Sequence, residues 1–236
     1  MSASSSAAAA ASLSEQPAVW ARIRLADRRD VPNIHRLIFQ MAEFERLTHL
    51  FHPTESSLSS TLFPSPPLPP FRSFTVLILE LSGSPISNAG IDADEEEKLG
   101  FRPIVRRISL DVPVEDADST VFASPQRDGL VVAGYLLCFP NYSSFEGRPG
   151  LYVEDIFVRE AWRRKGMGRM LLEAAARDAA RLGYGRVEWC VLDWNKNAIS
   201  FYEEMGAEVL PQWRICRLSG EALGKYAGDD EAACGC

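Results

Sequence analysis

The sequence predicts an α/β fold in which a mixed β-sheet is flanked by helices. Apolar runs of strand length recur along the chain, at residues 19–25, 73–81, 129–139, 151–158 and 186–192. Between most of them lie segments whose apolar positions recur at helical spacing, and such alternation builds a sheet covered by helices. The runs at 129–139 and 151–158 are separated only by a polar stretch, which makes them a hairpin and adds an antiparallel component. One domain over residues 19–226 is expected, because nothing after residue 19 reads as a linker between two complete cores.

The elements follow in order. Residues 1–18 are an Ala/Ser-rich tract without a basic residue, read as a disordered tail. A secretory leader would need a charged start and a longer apolar core, and a plastid transit peptide would carry arginines, so a cytoplasmic protein is expected. After the first strand, Val31, Ile34, Leu37, Ile38, Met41 and Phe44 define a helix that Asp30 could cap. It ends with Glu43 and Glu45, where negative charge is unfavourable to the helix dipole unless a cation arrives. Thr54 opens a second short helix, with Leu58 and Leu62 turned inward. The proline run PSPPLPP at 64–70 must be a loop. Residues 82–128, with the acidic run at 92–97, are expected to be an irregular, solvated insertion between two strands that would otherwise form a hairpin, with 104–110 as a marginal strand. Beyond the strand at 151–158 come a basic glycine turn, a helix ending at Gly183, a strand, the loop 193–197 and a helix over 198–205. A strand pair at 209–210 and 213–218 and a disordered tail over 227–236 complete the expected chain.

Composition narrows the function. A formal charge of −7 argues against a nucleic-acid binder and suits a cationic partner. The five cysteines show no paired framework, and the three histidines lie far from them, so no metal site is expected. No apolar run reaches the ~20 residues that span a bilayer, so no membrane partner is expected.

The chemistry concentrates in residues 151–172, LYVEDIFVREAWRRKGMGRMLL. A strand leads into Arg163, Arg164, Lys165, Gly166, Met167, Gly168 and Arg169, and then a helix begins. Free amides, the helix dipole and glycines that admit close approach make such a turn a phosphate site. A Walker loop is excluded by spacing. A dinucleotide fingerprint fails at its third glycine, where Leu171 stands, although Glu188 falls near the position of its ribose-binding acid. What remains is R-x-x-G-x-G or an ordinary helix start with a glycine kink.

The order R-x-x-G-x-G at Arg163, Gly166 and Gly168 resembles the coenzyme A pyrophosphate loop of the GCN5-related N-acetyltransferases. Downstream, Asp193, Trp194, Asn195, Ala198, Phe201, Tyr202, Gly206 and Ala207 fit that superfamily's later segment. The order Y-x-E-D-x-F-V from Tyr152 to Val158 is similar to the spermidine/spermine (diamine) N-acetyltransferases, and within them the plant ornithine and diamine enzymes. The resemblance runs from about Ile23 to Leu218, and the insertion has no counterpart in it. It implies a central, mostly antiparallel sheet with one splayed parallel strand pair, acetyl-CoA as cosubstrate, no metal, and a homodimer.

Site residues follow from the resemblance. Backbone groups of Ile156, Phe157 and Val158 would pair with the pantetheine arm. The turn 163–169 would hold the pyrophosphate. Asn195, with Ala198 beside it, would meet the coenzyme arm, and Tyr202 would protonate the leaving thiolate, as a phenol still protonated at neutral pH can. Glu154 would bind the amine or act as base, and Asp155 would lie along the amine path. Phe44 and Glu45 match an aromatic–acid pair that holds the far ammonium, and Trp213 matches a groove tryptophan.

Residue chemistry supports the amine side independently. Only roughly one alkylamine in a thousand is unprotonated at pH 7, so the site must bind a cation and remove a proton. Two carboxylates inside an apolar strand are costly unless they have a partner. Strand alternation sends Glu154 and Asp155 to opposite faces. Phe44 lacks the hydroxyl that polyamine enzymes often carry, and the acid before the groove tryptophan is absent, which favours ornithine or a short diamine over spermine. A protein lysine or N-terminus as acceptor, and a coenzyme-binding module without catalysis, are the alternatives.

Overall fold

The structure is a computed structural model that describes residues 17–86 and 100–227. The Ala/Ser tract to residue 16, the acidic run at 92–97 and the tail from residue 228 lie outside the described residues. Internal contacts divide the chain into two units, one ending at Cys190 and the other beginning at Val191.

The first unit is a six-stranded mixed sheet with helices. Its elements are β1 (Ala18–Leu25), α1 (Val31–Glu45), α2 (Glu55–Leu62), β2 (Thr75–Ser82), β3 (Ile104–Ser109), β4 (Val131–Ser143), β5 (Arg148–Val158), α3 (Met167–Arg181) and β6 (Val187–Trp189). The strand order is β3-β1-β2-β4-β5-β6. Every neighbouring pair is antiparallel except β5 and β6, which run parallel.

Burial explains the order. β2 (TVLILELS) is buried at seven consecutive positions, as suits a strand with neighbours on both sides and cover on both faces. Ile34 and Leu37 of α1 pack with Val76, Ile78, Tyr135 and Phe157, and Ile38 and Met41 flank that cluster. From α3, Met167, Met170, Leu171, Ala174, Ala175 and Ala179 are buried, and the helix packs on β1, β2, β4 and β5.

Several expectations change. Asp30 stands at the N-cap of α1 but caps nothing there. Its carboxylate accepts from Arg24 and from the Asp27 amide. The polar turn between β4 and β5 shrinks because both strands run on: Ser143 pairs with Arg148. The 82–128 segment is not uniformly solvated. It contributes edge strand β3, and Phe101, Leu110 and Phe122 are buried.

A buried ion cluster ties β1 to β2. Arg22 Nη2 meets Glu80 Oε2 at 2.6 Å, and Arg24 Nη2 meets Glu80 Oε1 at 2.7 Å. Arg24 also grips Asp30 at 2.7 Å, and Ser124 donates to Glu80 at 2.5 Å. Burial would push the Glu80 carboxyl up, but its bonds from Arg24 and Ser124 hold it below the usual range.

The second unit holds α4 (Lys196–Glu204) and α5 (Gly220–Gly224). The strand pair expected at 209–210 and 213–218 is not formed, and these residues are irregular and exposed. Pro211 supplies no amide hydrogen to a ladder, and Leu210-Pro211-Gln212 leaves little chain for a hairpin connection.

Removing one partner from a buried ion cluster leaves uncompensated charge. Glu80→Ala should therefore destabilise the fold by roughly 3–5 kcal/mol in urea unfolding. A loss under about 1 kcal/mol would show that the cluster does not hold β1 to β2.

Candidate active site

The parallel pair β5–β6 sets the geometry. Leu151, Tyr152 and Val153 pair with Val187, Glu188 and Trp189, and there the pairing stops. β5 continues to Val158, still bonded to β4 through Leu136, Tyr135 and Gly134. Beyond Val153 the strand thus has a ladder on one side only: the Phe157 backbone faces β4, and the backbone at Ile156 presents an edge that another extended segment could fill. Val158 is at the same edge, but its carbonyl already accepts from Arg163 Nε at 2.8 Å.

The β4–β5 register also changes the reading of the acid pair. Val153 lies opposite Cys138 and Asp155 opposite Leu137, so Glu154 is the extra residue of a β-bulge. Strict alternation, on which the opposite-face expectation rests, does not run through it. Glu154 is exposed, whereas Asp155 is half-buried and receives a 2.9 Å hydrogen bond from the Tyr135 hydroxyl.

Three carboxylates gather here. Burial first, then the charges of Glu154 and Glu45, push the Asp155 carboxyl up to about 6, while the Tyr135 bond acts the other way. Burial also raises Glu45 at the end of α1. The Tyr135 phenol is fully enclosed and held well above its ordinary value by that burial and by Asp155. The result is a concentration of negative charge contributed by α1 and β5, with the Tyr135 phenol of β4 among it. Tyr135 is the residue that sequence reasoning missed. Its signal was a phenol inside the apolar run 129–139, where a buried hydroxyl needs a partner.

The basic turn follows β5. Arg164 and Gly166 adopt left-handed conformations, with φ of 61° and 80°, which let the chain reverse into α3. Gly166 caps α3 without a side-chain acceptor, so the first-turn amides are not claimed by a cap. Lys165 turns its ammonium toward the Arg163 carbonyl at 3.3 Å. Arg163 does not reach outward. Its guanidinium lies 4.4 Å from the Phe44 ring and 5.0 Å from that of Phe157, joining the amine side to the turn.

Phe44, Glu45, Glu154, Asp155, Phe157 and Arg163 are thus brought together in the first unit. A cavity of about 1010 Å³, lined by Leu62, Phe63, Phe71, Arg72 and Leu182 among others, lies on other elements and contains none of these residues. The remaining expected residues belong to the second unit. Asn195 caps α4, its Oδ1 accepting from the Ala198 amide at 3.3 Å, so only its amide nitrogen is left to donate to a ligand. Tyr202 is buried, with its ring 5.2 Å from that of Phe201, and Trp213 is exposed. No cluster of metal-ligating side chains occurs among the described residues, and no helix among them is long and apolar enough to cross a membrane.

Comparison with known proteins agrees with this fold. The sequence model described as the Acetyltransferase (GNAT) family matches residues 91–207. The chain is 53% identical to L-ornithine N5-acetyltransferase NATA1 of Arabidopsis thaliana, over 87% of each chain. It is 37% identical to tyramine N-feruloyltransferase 4/11 of Nicotiana tabacum, over 91% of this chain and 94% of the relative. It is 29% identical to thialysine N-epsilon-acetyltransferase of Mus musculus, over 88% and 97%. Among solved structures, an integron cassette protein from the V. cholerae mobile metagenome shares the fold at a TM-score of 0.54 and 16% identity, over 88% of this chain and 97% of that one. With a relative of more than half-identical sequence along most of both chains, and with a β5–β6 fork above a glycine-turned helix start, this chain belongs to the acetyltransferase (GNAT) family.

Proposed function

We propose that the protein transfers acetyl from acetyl-CoA to a primary amine of a small cationic amino acid or diamine, with ornithine-like acceptors preferred. The observation that carries the reading is the gathering of Glu45, Glu154 and Asp155 beside the edge that β6 leaves open. A site that only held a coenzyme would have no use for three carboxylates there, and a protonated amine has every use for them. The similarity to an ornithine acetyltransferase supports the same acceptor class.

The steps follow from the groups. Acetyl-CoA lies along β5 at Ile156, Phe157 and Val158, its pyrophosphate on the amides and basic side chains of 163–169, with Asn195 and Ala198 along its arm. Exposed Glu154 meets the ammonium, and Glu45 with Phe44 holds the second charge. Asp155, raised toward neutrality, is suited to take the proton, directly or through water. The freed amine attacks the thioester carbonyl, the adduct's nitrogen gives up its second proton to water, and collapse expels the thiolate, which Tyr202 protonates before regaining a proton from solvent. A groove role for Trp213 rests on the resemblance alone. A homodimer is part of the same proposal, resting on the resemblance.

The direct test is free-thiol release from acetyl-CoA with ornithine, 1,3-diaminopropane, putrescine, spermidine, thialysine and tyramine. Turnover highest with ornithine or 1,3-diaminopropane is expected, and silence across all six would overturn the proposal. Tyr202→Phe should lower kcat at least tenfold, in line with loss of a general acid, and leave acetyl-CoA binding nearly intact. Unchanged turnover removes Tyr202 from that role.

Asp155 gives a pH prediction. Its folded value of about 6 lies above the 3.8 of an unperturbed group, so its stabilising contribution is complete below about 3.8 and is lost as pH rises through about 6. Above that pH the fold carries a buried charge that a neutral amide would not. Asp155→Asn should cut activity at least tenfold while leaving Tm at pH 8 equal to or above that of the unaltered protein, and any advantage should shrink as pH falls through about 6 and vanish below about 3.8. A variant that is less stable at pH 8 would contradict the assignment, as would a kcat/KM profile without a fall near pH 6.

A further inference from the structure

We infer that the insertion between β2 and β4 is a brace for the coenzyme turn, with Asp116 as its positioning residue. The inference rests on the reading of 163–169 as the pyrophosphate site. The turn lies between two segments, and the insertion grips both.

On the upstream side, Arg159 directly follows β5 and is 2% exposed. Its amide bonds the Ala133 carbonyl at 2.8 Å, and its Nη1 donates to the Val132 carbonyl at 3.2 Å and to Asp116 Oδ2 at 2.8 Å. Its Nη2 donates to Asp116 Oδ1, and the guanidinium sits 4.1 Å above the Phe122 ring. Asp116 Oδ2 also accepts from Trp162 Nε1 at 2.8 Å. One carboxylate of the insertion thus fixes both ends of the short 3-10 turn 160–162 that leads into Arg163. Burial opposes its charge, but the Arg159 and Trp162 bonds hold its carboxyl below the usual range.

On the downstream side, Arg106 of β3 pairs with Glu173 of α3 at 2.9 Å, and Arg177 of α3 donates to the Arg102 carbonyl at 3.3 Å and lies over Phe101. The insertion is itself anchored to the sheet. The Val132 amide bonds the Phe122 carbonyl at 2.7 Å, and Asn33 donates to the Ala123 carbonyl at 3.0 Å.

The downstream contacts are exposed and weak, whereas the Asp116–Arg159–Trp162 contact is enclosed, so the holding force lies upstream. A turn that passes through left-handed Arg164 and Gly166 has backbone freedom to lose when it closes on a phosphate. A brace that fixes its entry lowers that cost and so strengthens coenzyme binding without entering the chemistry.

The test is calorimetric titration of the full-length protein with coenzyme A, paired with steady-state kinetics, for Asp116→Ala, Trp162→Phe and Gly168→Glu. Asp116→Ala should raise the Kd for coenzyme A and the KM for acetyl-CoA at least fivefold. Its kcat at saturating acetyl-CoA, and its KM for the amine, should stay within twofold of the unaltered protein. Trp162→Phe, which removes one of the bonds to Asp116 and keeps an aromatic core residue, should raise the Kd about twofold to threefold, so the outcome does not depend on Asp116→Ala folding. Gly168→Glu should abolish coenzyme binding. If it does so while Asp116→Ala and Trp162→Phe bind normally, the brace is wrong and the turn reading stands. If Gly168→Glu binds coenzyme A normally, the turn reading fails and takes the brace with it. Parallel losses in kcat and amine KM for Asp116→Ala would mark a general structural defect and also overturn the inference.

Discussion

The site depends on one constraint: β5 is a longer strand than its parallel neighbour can follow. β6 accompanies it for three residues, up to Val153, while β4 stays bonded to it up to Val158. A strand paired on one side only carries backbone groups that need partners or water. Leaving such an edge inside an enzyme is a liability unless a ligand uses it. The bulge at Glu154 falls at the same point, where the partnership with β6 ends. Fork and bulge together set the acids beside the open edge rather than along a buried ladder.

Electrostatic cost is spent unevenly across the molecule. The cluster of Arg22, Arg24, Asp30 and Glu80 is neutral and its charges are matched, so it can lie wholly inside. Around Asp155 the carboxylates of Glu45 and Glu154 add like charge, and the nearest polar group is a phenol. Arg163 is folded onto two aromatic rings and a carbonyl. Such an arrangement is strained by its own repulsion until a cation enters. That arrangement is what supports the proposed ammonium site, alongside the resemblance.

Much of this was legible in the sequence. The helices and the hairpin follow from apolar spacing, the parallel strand pair came with the family resemblance, and the basic glycine turn stood out from its residues alone. The acid pair was visible too, but its geometry was not. Alternation assumes an unbroken ladder, and a bulge depends on how the neighbouring strand counts its residues, which local sequence does not carry. Arg163 opens the R-x-x-G-x-G motif, which the resemblance assigns to the pyrophosphate loop. Only tertiary packing reveals that Phe44 and Phe157 lie beneath it. The insertion reads as an irregular, solvated segment with an acidic run at 92–97, and this masks the few residues that matter, Asp116 and Phe122, whose partners lie outside it. The strand pair expected near Trp213 failed for a local reason, since Pro211 interrupts its connection.

The central claim is that β5 completes its ladder with the coenzyme. Hydrogen–deuterium exchange of the full chain, with and without coenzyme A, addresses it directly. The account predicts slowed exchange at the outward-facing amides of Ile156 and Val158 together with those of 166–169 when coenzyme A is bound. Protection confined to the turn, with β5 exchanging as it does in the free protein, would contradict it.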